Sequence, residues 1–420
     1  LAVFYISVDG LGGLLNSLIT DSLTPWLQIK IADGLASVSS PLWLISLIVD
    51  GIITGVFGVL SFLPQIMLLF GLIAVLEASG YMARIAFISD RLLSKIGLGG
   101  KSFVSMIVGC GCSVPAVMST RTIKNINERN ATIALVPFMP CSAKMAVISF
   151  FTAKLLGGNA LIAASFYFLS IVCIILGGLI LKVFGRRKTT AADTFLMELP
   201  TYRLPKLTNV LRQMWERGKA YIIKAGTIIF TASVVLWVLQ SLNWRFQLVG
   251  ADASMLSDIG KVIAPIFVPL GFGDWRFAVS ALTGIVAKET VVTTLQILLG
   301  SVDIATVVSP LAAYSFVAYN LITIPCVATI AASFSELGSI KRGIKTILFQ
   351  FVYAYVVALL IYQIGIVATT YTTIFVVTIC VLAIAFMLYF CIRYIATHRG
   401  CNYECDHCPH NKDCTKDRNK

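Results

Sequence analysis

Charged residues are scarce in this chain of 420 residues: Asp, Glu, Lys and Arg make up only 13% of it, whereas 58% is hydrophobic. Soluble domains carry about a quarter charged residues, and the mean hydropathy of this chain is +0.88. This composition excludes an ordinary soluble domain and indicates an integral membrane protein embedded in a lipid bilayer. The net charge of the chain is +13, and its charged residues lie in short clusters between apolar runs. We therefore interpret the basic excess as a signal of orientation in the membrane, and we predict no nucleic-acid partner.

Histidine and a complete nucleotide-binding motif are missing from the apolar part of the chain. All three histidines stand at position 398 or later, so the membrane part offers no Ser/His/Asp arrangement for hydrolysis. Gly99-Gly100-Lys101-Ser102 is similar to the end of a phosphate-binding loop, but Lys95 stands where the motif requires glycine. We therefore predict no catalytic motif and no nucleotide-binding residue in this chain, and a transporter domain instead of an enzyme.

Uncharged runs long enough to cross a membrane recur along the chain. A hydrocarbon core about 30 Å thick needs roughly 20 residues of helix. Such runs predict spanning helices at 51–76, 131–153, 155–181, 225–244 and 304–335, and the stretch 346–392 predicts two more, with a break near 363–373. Because residue 1 is Leu and the first residues are apolar, we expect a truncated first span and more chain upstream. The sequence thus predicts an all-α polytopic membrane protein with about eight transmembrane helices.

The distribution of Lys and Arg predicts the orientation, because cytoplasmic loops carry the excess. Between residues 182 and 224, ten basic residues stand against three acidic ones, and the C-terminal tail is also basic. We place both segments, and hence the C-terminus, on the cytoplasmic side. The segments before Gly51 and from Asn243 to Arg276 fit the outside.

The run 102–120 does not fit a simple span, because basic residues flank it on both sides and both flanks favour the cytoplasm. It also contains Gly109-Cys110-Gly111-Cys112-Ser113-Val114-Pro115, and glycine and proline break a helix. We predict a re-entrant hairpin that enters from the cytoplasm. A short kinked span is the alternative.

The chain contains an internal repeat. Residues 97–103 align with 271–277 at an offset of 174, and the Pro-Cys pair at 140–141 aligns with the pair at 325–326 at an offset of 185. Between them, 109–112 corresponds approximately to 284–287. Three predicted spans lie between equivalent points of the two repeats. An odd number of spans reverses the orientation in the membrane, so we predict two gate-type inverted repeats with broken or re-entrant helices. Such a pattern is typical of an alternating-access site near the middle of the membrane.

Three cysteines stand beside the predicted helix breaks: Cys112, Cys141 and Cys326. Unwound backbone frees carbonyl groups for a cation, and a thiolate adds a softer ligand that suits Fe(II), Zn(II) or Cu(I). We predict a metal transport path along these thiols. Cys110 is an ambiguous fourth thiol, and Ser142 is a polar neighbour at the same break.

Two acidic residues extend this candidate path, because charged groups at membrane depth are costly and often functional. Glu289 lies inside the second broken segment beside Lys288, and Glu77 closes an uncharged run. Glu289 is predicted to bind the cation or to accept a proton. Lys288 is predicted to neutralise it or to reach the membrane interface as a helix-end residue.

The C-terminal tail is a separate unit. Cys401, Cys405, Cys408 and Cys414 fall within 14 residues, with His407 among them. On the reducing side of a membrane, such a group indicates a bound metal or an iron–sulfur cluster more than disulfides. A tail that binds metal only adventitiously is the alternative.

Several motifs resemble the membrane domain of the FeoB-type family of bacterial ferrous iron transport proteins, over about residues 50–366. They lie at 76–84, 100–103, 109–116, 121–122, 137–143, 197–200, 287–289 and 325–329. The resemblance implies Fe(II) as the substrate, import across the bacterial inner membrane, and Cys112, Cys141 and Cys326 as pathway cysteines. It also implies an N-terminal GTPase domain outside this chain that uses GTP and Mg, and a small cytosolic SH3-like companion protein. A homo-oligomer stays open.

Together these signals predict six segments. They are a truncated first span with an external segment (1–50), a first gate repeat (51–184), a basic cytoplasmic linker (185–218), a second gate repeat (219–366), a last transmembrane helix (367–394) and the cytoplasmic Cys-rich tail (395–420). Two other functions stay open. One is transport of another divalent metal or a nucleoside-like solute, for which Asn320 and Ser142 are the polar candidates at the breaks. The other is a membrane metal or redox sensor that uses the tail.

Overall fold

The uncharged runs of the sequence form helices, which charged or glycine- and proline-rich segments interrupt. A computed structural model describes residues 11–37, 41, 45, 47–184, 205–245, 247, 249–250, 253–300 and 304–370. Over these residues the chain forms helices and no β-strand, which confirms the predicted all-α class. The tail cysteines, His407, most of the last predicted helix and most of the basic linker lie outside the described residues.

The α-helices are numbered in chain order. They are α1 (Leu11–Ser17), α2 (Thr24–Ser37), α3 (Thr54–Ala78), α4 (Tyr81–Leu93), α5 (Gly100–Gly111), α6 (Ser113–Ser119), α7 (Ile126–Leu135), α8 (Ser142–Leu155), α9 (Ala160–Phe184), α10 (Leu207–Tyr221), α11 (Thr227–Ser241), α12 (Met255–Phe267), α13 (Trp275–Val286), α14 (Thr290–Leu299), α15 (Ile304–Val307), α16 (Pro310–Ile322), α17 (Val327–Leu337) and α18 (Ile340–Thr370).

Four stretches of helix in the described part of the chain are long and apolar enough to cross a membrane: Ile126–Leu155, Ala160–Val183, Pro310–Leu337 and Ile340–Val367. Two bent helix pairs meet the same criterion. The pair α3 and α4 bends by 79°, and the pair α12 and α13 bends by 100°. The described residues thus hold four to six candidate spans, and the chain is a multi-pass membrane protein. Residues 1–10 and those after 370, where the sequence predicts further spans, are not among them.

The internal repeat is present in the backbone. α4 and α12 each have 13 residues, and a 3₁₀ turn follows each one, at Ser94–Ile96 and at Val268–Leu270. Each turn ends in a glycine with positive φ, Gly97 at 83° and Gly271 at 91°. Residues with a Cβ rarely adopt this conformation, so glycine is needed at both positions. The offset of 174 residues therefore relates equivalent structural elements.

Both repeats continue with the same series of elements. α5 and α13 have 12 residues each and end at one extended residue, Cys112 (φ −154°, ψ 133°) and Ala287 (φ −149°, ψ 134°). α6 and α14 follow, and the next helical stretches are interrupted at the two Pro-Cys pairs, between α7 and α8 and between α16 and α17. α9 and α18 complete the repeats. The predicted correspondence of Cys112 with residue 287 is confirmed.

Two local features differ from the sequence analysis. The segment 243–276, which the charge balance places outside, contains α12, a helix that is not predicted from the sequence because Asp258 and Lys261 prevent an uncharged run. α18 continues through 363–370, the described part of the predicted break near 363–373, because a single glycine costs a helix only about 1 kcal/mol. Gln363 also donates a hydrogen bond to the carbonyl of Pro269 (3.1 Å). The helix therefore passes residue 366, where the sequence places the end of the second gate repeat.

A buried aromatic cluster joins the two repeats within the compact unit formed by residues 1–185 and 198–363. The ring of Phe316 in α16 lies 5.3 Å from Phe151 in α8 and 5.1 Å from both Phe272 and Phe277, measured between ring centroids. All four side chains are fully buried. This packing holds α8 of the first repeat against α16 of the second. The other unit, 186–197 with 364–420, is described only at the end of α18.

Candidate functional site

The first break lies between α5 and α6. Cys112 alone separates the two helices, which are about 18 Å and about 10 Å long and so too short to cross a bilayer singly. In a continuous helix the carbonyl of Gly111 would accept from the N–H four residues later. That residue is Pro115, which has no N–H. The hydroxyl of Ser142 donates to this carbonyl instead, at 3.3 Å.

The other two cysteines begin helices after a break. Cys141 is extended (φ −92°, ψ 169°) and directly precedes α8, and Cys326 (φ −60°, ψ 155°) directly precedes α17. The thiol of Cys326 lies 3.2 Å from the hydroxyl of Thr329. The structure therefore places all three predicted cysteines at interruptions of the helical backbone, where carbonyl groups are freed from the helical pattern.

These interruptions lie close to one another. Ser142, beside Cys141, donates to the carbonyl of Gly111, beside Cys112, and Lys144 donates to the carbonyl of Leu321, in the helix that precedes Cys326. Cys112, Cys141, Cys326 and Glu289 are all partly buried. Cys112 and Cys326 also pack against one small apolar cluster, formed by Ile66, Phe70, Val114 and Ala328. Among the described residues, no group of three or more His, Cys, Asp or Glu side chains is arranged to hold a metal ion.

The remaining predicted path residues differ in their surroundings. Cys110 is partly buried and donates to the carbonyl of Met106 in its own helix (3.9 Å). Glu77 is exposed near the C-terminal end of α3. The tail candidates Cys401, Cys405, Cys408, Cys414 and His407 lie outside the described residues.

Two buried lysines stand beside the cysteines. Lys144, with 3% exposure, donates to the carbonyls of Leu321 (2.6 Å), Met139 (3.4 Å) and Pro137. Lys288 is equally buried, but its ammonium group has no hydrogen-bond partner among the described residues. It therefore makes no hydrogen bond to Glu289. Lys288, Lys144 and Asn320 line the same crevice between α8 and α16.

An ion-pair cluster that the sequence analysis missed connects the repeats at Glu336, whose side chain in α17 is 3% exposed. Arg121 donates to Glu336 Oε1 through Nε (2.7 Å) and Nη2 (2.5 Å), and Arg129 donates to Oε2 (2.7 Å) and to the backbone carbonyl of Glu336 (3.0 Å). The hydrogen bond to Glu336 raises the pKa of Arg121 above its ordinary value. The only signal in the sequence is that Glu336 directly follows the uncharged run 304–335.

The glycine-rich segment before α5 is a capped helix start. The amide of Gly99 and the hydroxyl of Ser102 both donate to Glu128, at 2.9 Å and 2.7 Å, and the amide of Gly100 donates to Asp90 at 2.7 Å. Carboxylates of the chain itself thus occupy the donors that a phosphate would need.

Two families match this chain. The Gate family, described as "Nucleoside recognition", matches residues 59–155 and 222–340, just over half of the chain. The family described as "Ferrous iron transport protein B C terminus" matches residues 163–217. The two Gate matches include all three cysteine-bearing breaks. No solved structure matches the chain.

Relatives with assigned names agree with these matches. The chain is 41% identical over 326 residues to the "Fe(2+) transporter FeoB" of Staphylococcus aureus (strain MSSA476), covering 76% of this chain and 49% of that protein. It is 39% identical to the "Fe(2+) transporter FeoB" of Methanocaldococcus jannaschii, covering 76% and 50%. A Porphyromonas gingivalis relative, 35% identical over 76% and 44%, is named "Fe(2+) transport protein A/Fe(2+) transporter FeoB fusion protein". The chain spans about half the length of these relatives. It therefore belongs to the FeoB family, as a multi-pass membrane domain built around two Gate segments.

Proposed function

We propose that this chain is the permease domain of a ferrous iron importer. Fe(II) enters from outside and sheds its water stepwise against Cys112, Cys141, Cys326 and the carbonyls freed at the breaks. It leaves on the cytoplasmic side of the bacterial inner membrane, where the C-terminus also lies. The names of the relatives support iron over a nucleoside-like solute.

The observation that carries this proposal is that hydrogen bonds and a shared apolar cluster bring together three cysteine-bearing breaks from two repeats. Thiolates bind a borderline-soft cation such as Fe(II) and replace its water more readily than a hydroxyl group does. Glu289 adds a carboxylate from the second repeat. The affinity order of divalent metals favours zinc over iron, so selectivity must come from geometry and metal supply.

The two structural repeats allow this path to open to one side of the membrane at a time, which is alternating access. We propose that the repeats, 51–184 and 219–366 as first drawn and with the second extended along α18, are inverted and rock against each other. The Phe316 cluster and the Glu336 ion pairs lie between them and set the resting arrangement. The tail cysteines receive the metal on the cytoplasmic side.

The partners of this domain are part of the proposal. A GTPase domain upstream in the same protein supplies GTP binding and Mg, and couples to the permease through the segments around Arg84–Lys101 and Arg121–Arg129. The fusion in the Porphyromonas gingivalis relative supports a transport protein of the A type, the SH3-like companion, as a second partner.

The test is anaerobic uptake of radiolabelled Fe(II) in cells that lack their own iron importer and express the full-length protein. We compare wild type with a variant in which Cys112, Cys141 and Cys326 are all serine, at matched membrane levels. Cys173→Ser is the control, because this thiol lies in the core of α9 away from any break. The proposal predicts lost uptake in the triple variant only. Wild-type uptake in the triple variant would overturn the thiol path.

A further inference from the structure

Lys144 stands at the point where the two Pro-Cys breaks meet. Its ammonium group is buried and donates to backbone carbonyls on both sides of the interface between the repeats. A charged amine at membrane depth is costly unless its donors are used. Up to three carbonyls accept hydrogen bonds from the ammonium group of Lys144. These carbonyls lack helical partners at the breaks, and they stabilise the charge of the lysine.

The acceptor in the second repeat explains why the lysine is needed. Leu321 lies in the last turn of α16, and the residue four positions on is Pro325, which has no N–H. An unpaired carbonyl in a membrane interior is energetically costly, because lipid offers no hydrogen-bond donor. Lys144, 177 positions away in sequence, supplies the missing donor at 2.6 Å. The proline that creates the break before Cys326 thus depends on a side chain from the other repeat.

Side chains in the first turn of α8 also donate hydrogen bonds to carbonyls at the other two breaks. Pro137 and Met139, whose carbonyls accept from Lys144, lie in the segment just before Cys141. Ser142, two residues earlier in α8, donates to Gly111, the residue before Cys112. One turn of α8 therefore donates to carbonyls in the segments that lead into all three cysteines.

The second repeat has no equivalent of this arrangement. The offset of 185 residues places Thr329 at the position of Lys144, and the Thr329 hydroxyl contacts the thiol of Cys326 and not a carbonyl of a neighbouring break. The positioning group is thus present once, in the first repeat, and reaches across to the second. Among the described residues, Lys144 thus supplies a side-chain hydrogen bond from one Pro-Cys break to the other.

We infer that Lys144 is a positioning residue of the transport path, which fixes Cys326 relative to Cys141 by binding the carbonyl that Pro325 leaves unpaired. Ser142 does the same, more weakly, for Cys112. The inference rests on the proposed function in taking these cysteines as the path, but the contacts themselves do not depend on iron. Lys144 is thus the side chain that holds the path cysteines in fixed positions relative to one another.

The test measures cysteine geometry without metal. Purified full-length protein, free of metal, is alkylated with N-ethylmaleimide, and the rate at each cysteine is read by mass spectrometry. In Lys144→Met, Cys326 is expected to react about tenfold faster, the factor that corresponds to one lost charge-assisted hydrogen bond. Lys144→Arg keeps the donors and is expected to remain within about threefold of wild type. Lys154→Met, an exposed lysine of the same helix, is the matched control and is expected to change nothing.

A second variant covers the case in which Lys144→Met does not fold. Ser142→Ala removes one neutral hydrogen bond and is expected to raise the rate at Cys112 about threefold while Cys326 keeps its rate. Equal rates at Cys326 in wild type and folded Lys144→Met would overturn the inference, as would a Ser142→Ala variant that changes Cys326 as much as Cys112. Iron uptake by the same variants is measured separately. Failure of wild-type uptake would reject the proposed function, whereas unchanged alkylation would reject only the role of Lys144.

Discussion

Replacing Glu336 with glutamine is expected to loosen the contact between the two repeats. The carboxylate accepts three hydrogen bonds from two guanidinium groups while its own side chain is 3% exposed. Removing one partner of a buried ion pair costs about 3–5 kcal/mol. Arg121 is 54% exposed and Arg129 27%, so both regain hydration when the charge is lost. We therefore expect a cost of about 2–3 kcal/mol.

The alkylation rate of the Cys173 thiol measures this loss of stability. This thiol lies in α9 with 2% exposure, so an alkylating reagent reaches it only when the helix packing opens. A loss of about 2–3 kcal/mol corresponds to roughly 30- to 150-fold faster alkylation when opening is rapid compared with the reaction. Glu216→Gln is the control, because the Arg212–Glu216 pair is exposed and such pairs contribute less than about 0.5 kcal/mol.

A double-mutant cycle separates the ion pairs from other effects of the substitution. Glu336→Gln and Arg129→Met share one contact, so their combined effect is expected to fall short of the sum by about 1 kcal/mol or more. A rate at Cys173 within about threefold of wild type in Glu336→Gln would refute the reasoning, and so would simple additivity in the cycle.

Two substitutions test the packing before α5. In Gly100→Ala the new Cβ would clash with the carbonyl oxygen of Ala86, so the backbone must shift, and we expect a loss of at least about 2 kcal/mol and a lower Tm. Gly34→Ala, with nothing within 4 Å of the new Cβ, is the control and should not lower the Tm, because alanine favours a helix interior over glycine. Glu128→Ala removes the acceptor that caps α5 and is expected to cost about 1–2 kcal/mol in the same assay, whereas Glu216→Ala, at an exposed position, should cost less than about 0.5 kcal/mol. An unchanged Tm for Gly100→Ala or Glu128→Ala would contradict the corresponding contact.

The helix breaks could be predicted from the sequence because their signals are local. Glycine and proline interrupt a helix wherever they lie, so Cys112 and the two Pro-Cys pairs were identifiable from their neighbours alone. The repeat could be predicted for the same reason. Gly97 and Gly271 are fixed by their positive φ, and their spacing of 174 residues survives although the residues around them differ.

The contacts between the repeats could not be predicted in this way. Glu336 meets Arg121 and Arg129 across 215 and 207 residues of sequence, and Lys144 meets Leu321 across 177. No local pattern specifies such partners, because they follow from how the repeats pack. α12 was missed for another reason: an amphipathic helix in a membrane protein carries charge and interrupts the apolar runs that indicate a span.

The most direct test of the account is whether Fe(II) reaches the three cysteines. Under anaerobic conditions, the full-length protein is alkylated with and without Fe(II), and the rate is read at each cysteine. The account predicts that Fe(II) slows the reaction at Cys112, Cys141 and Cys326 and leaves Cys173 unchanged. Equal rates at the three cysteines with and without Fe(II) would contradict it.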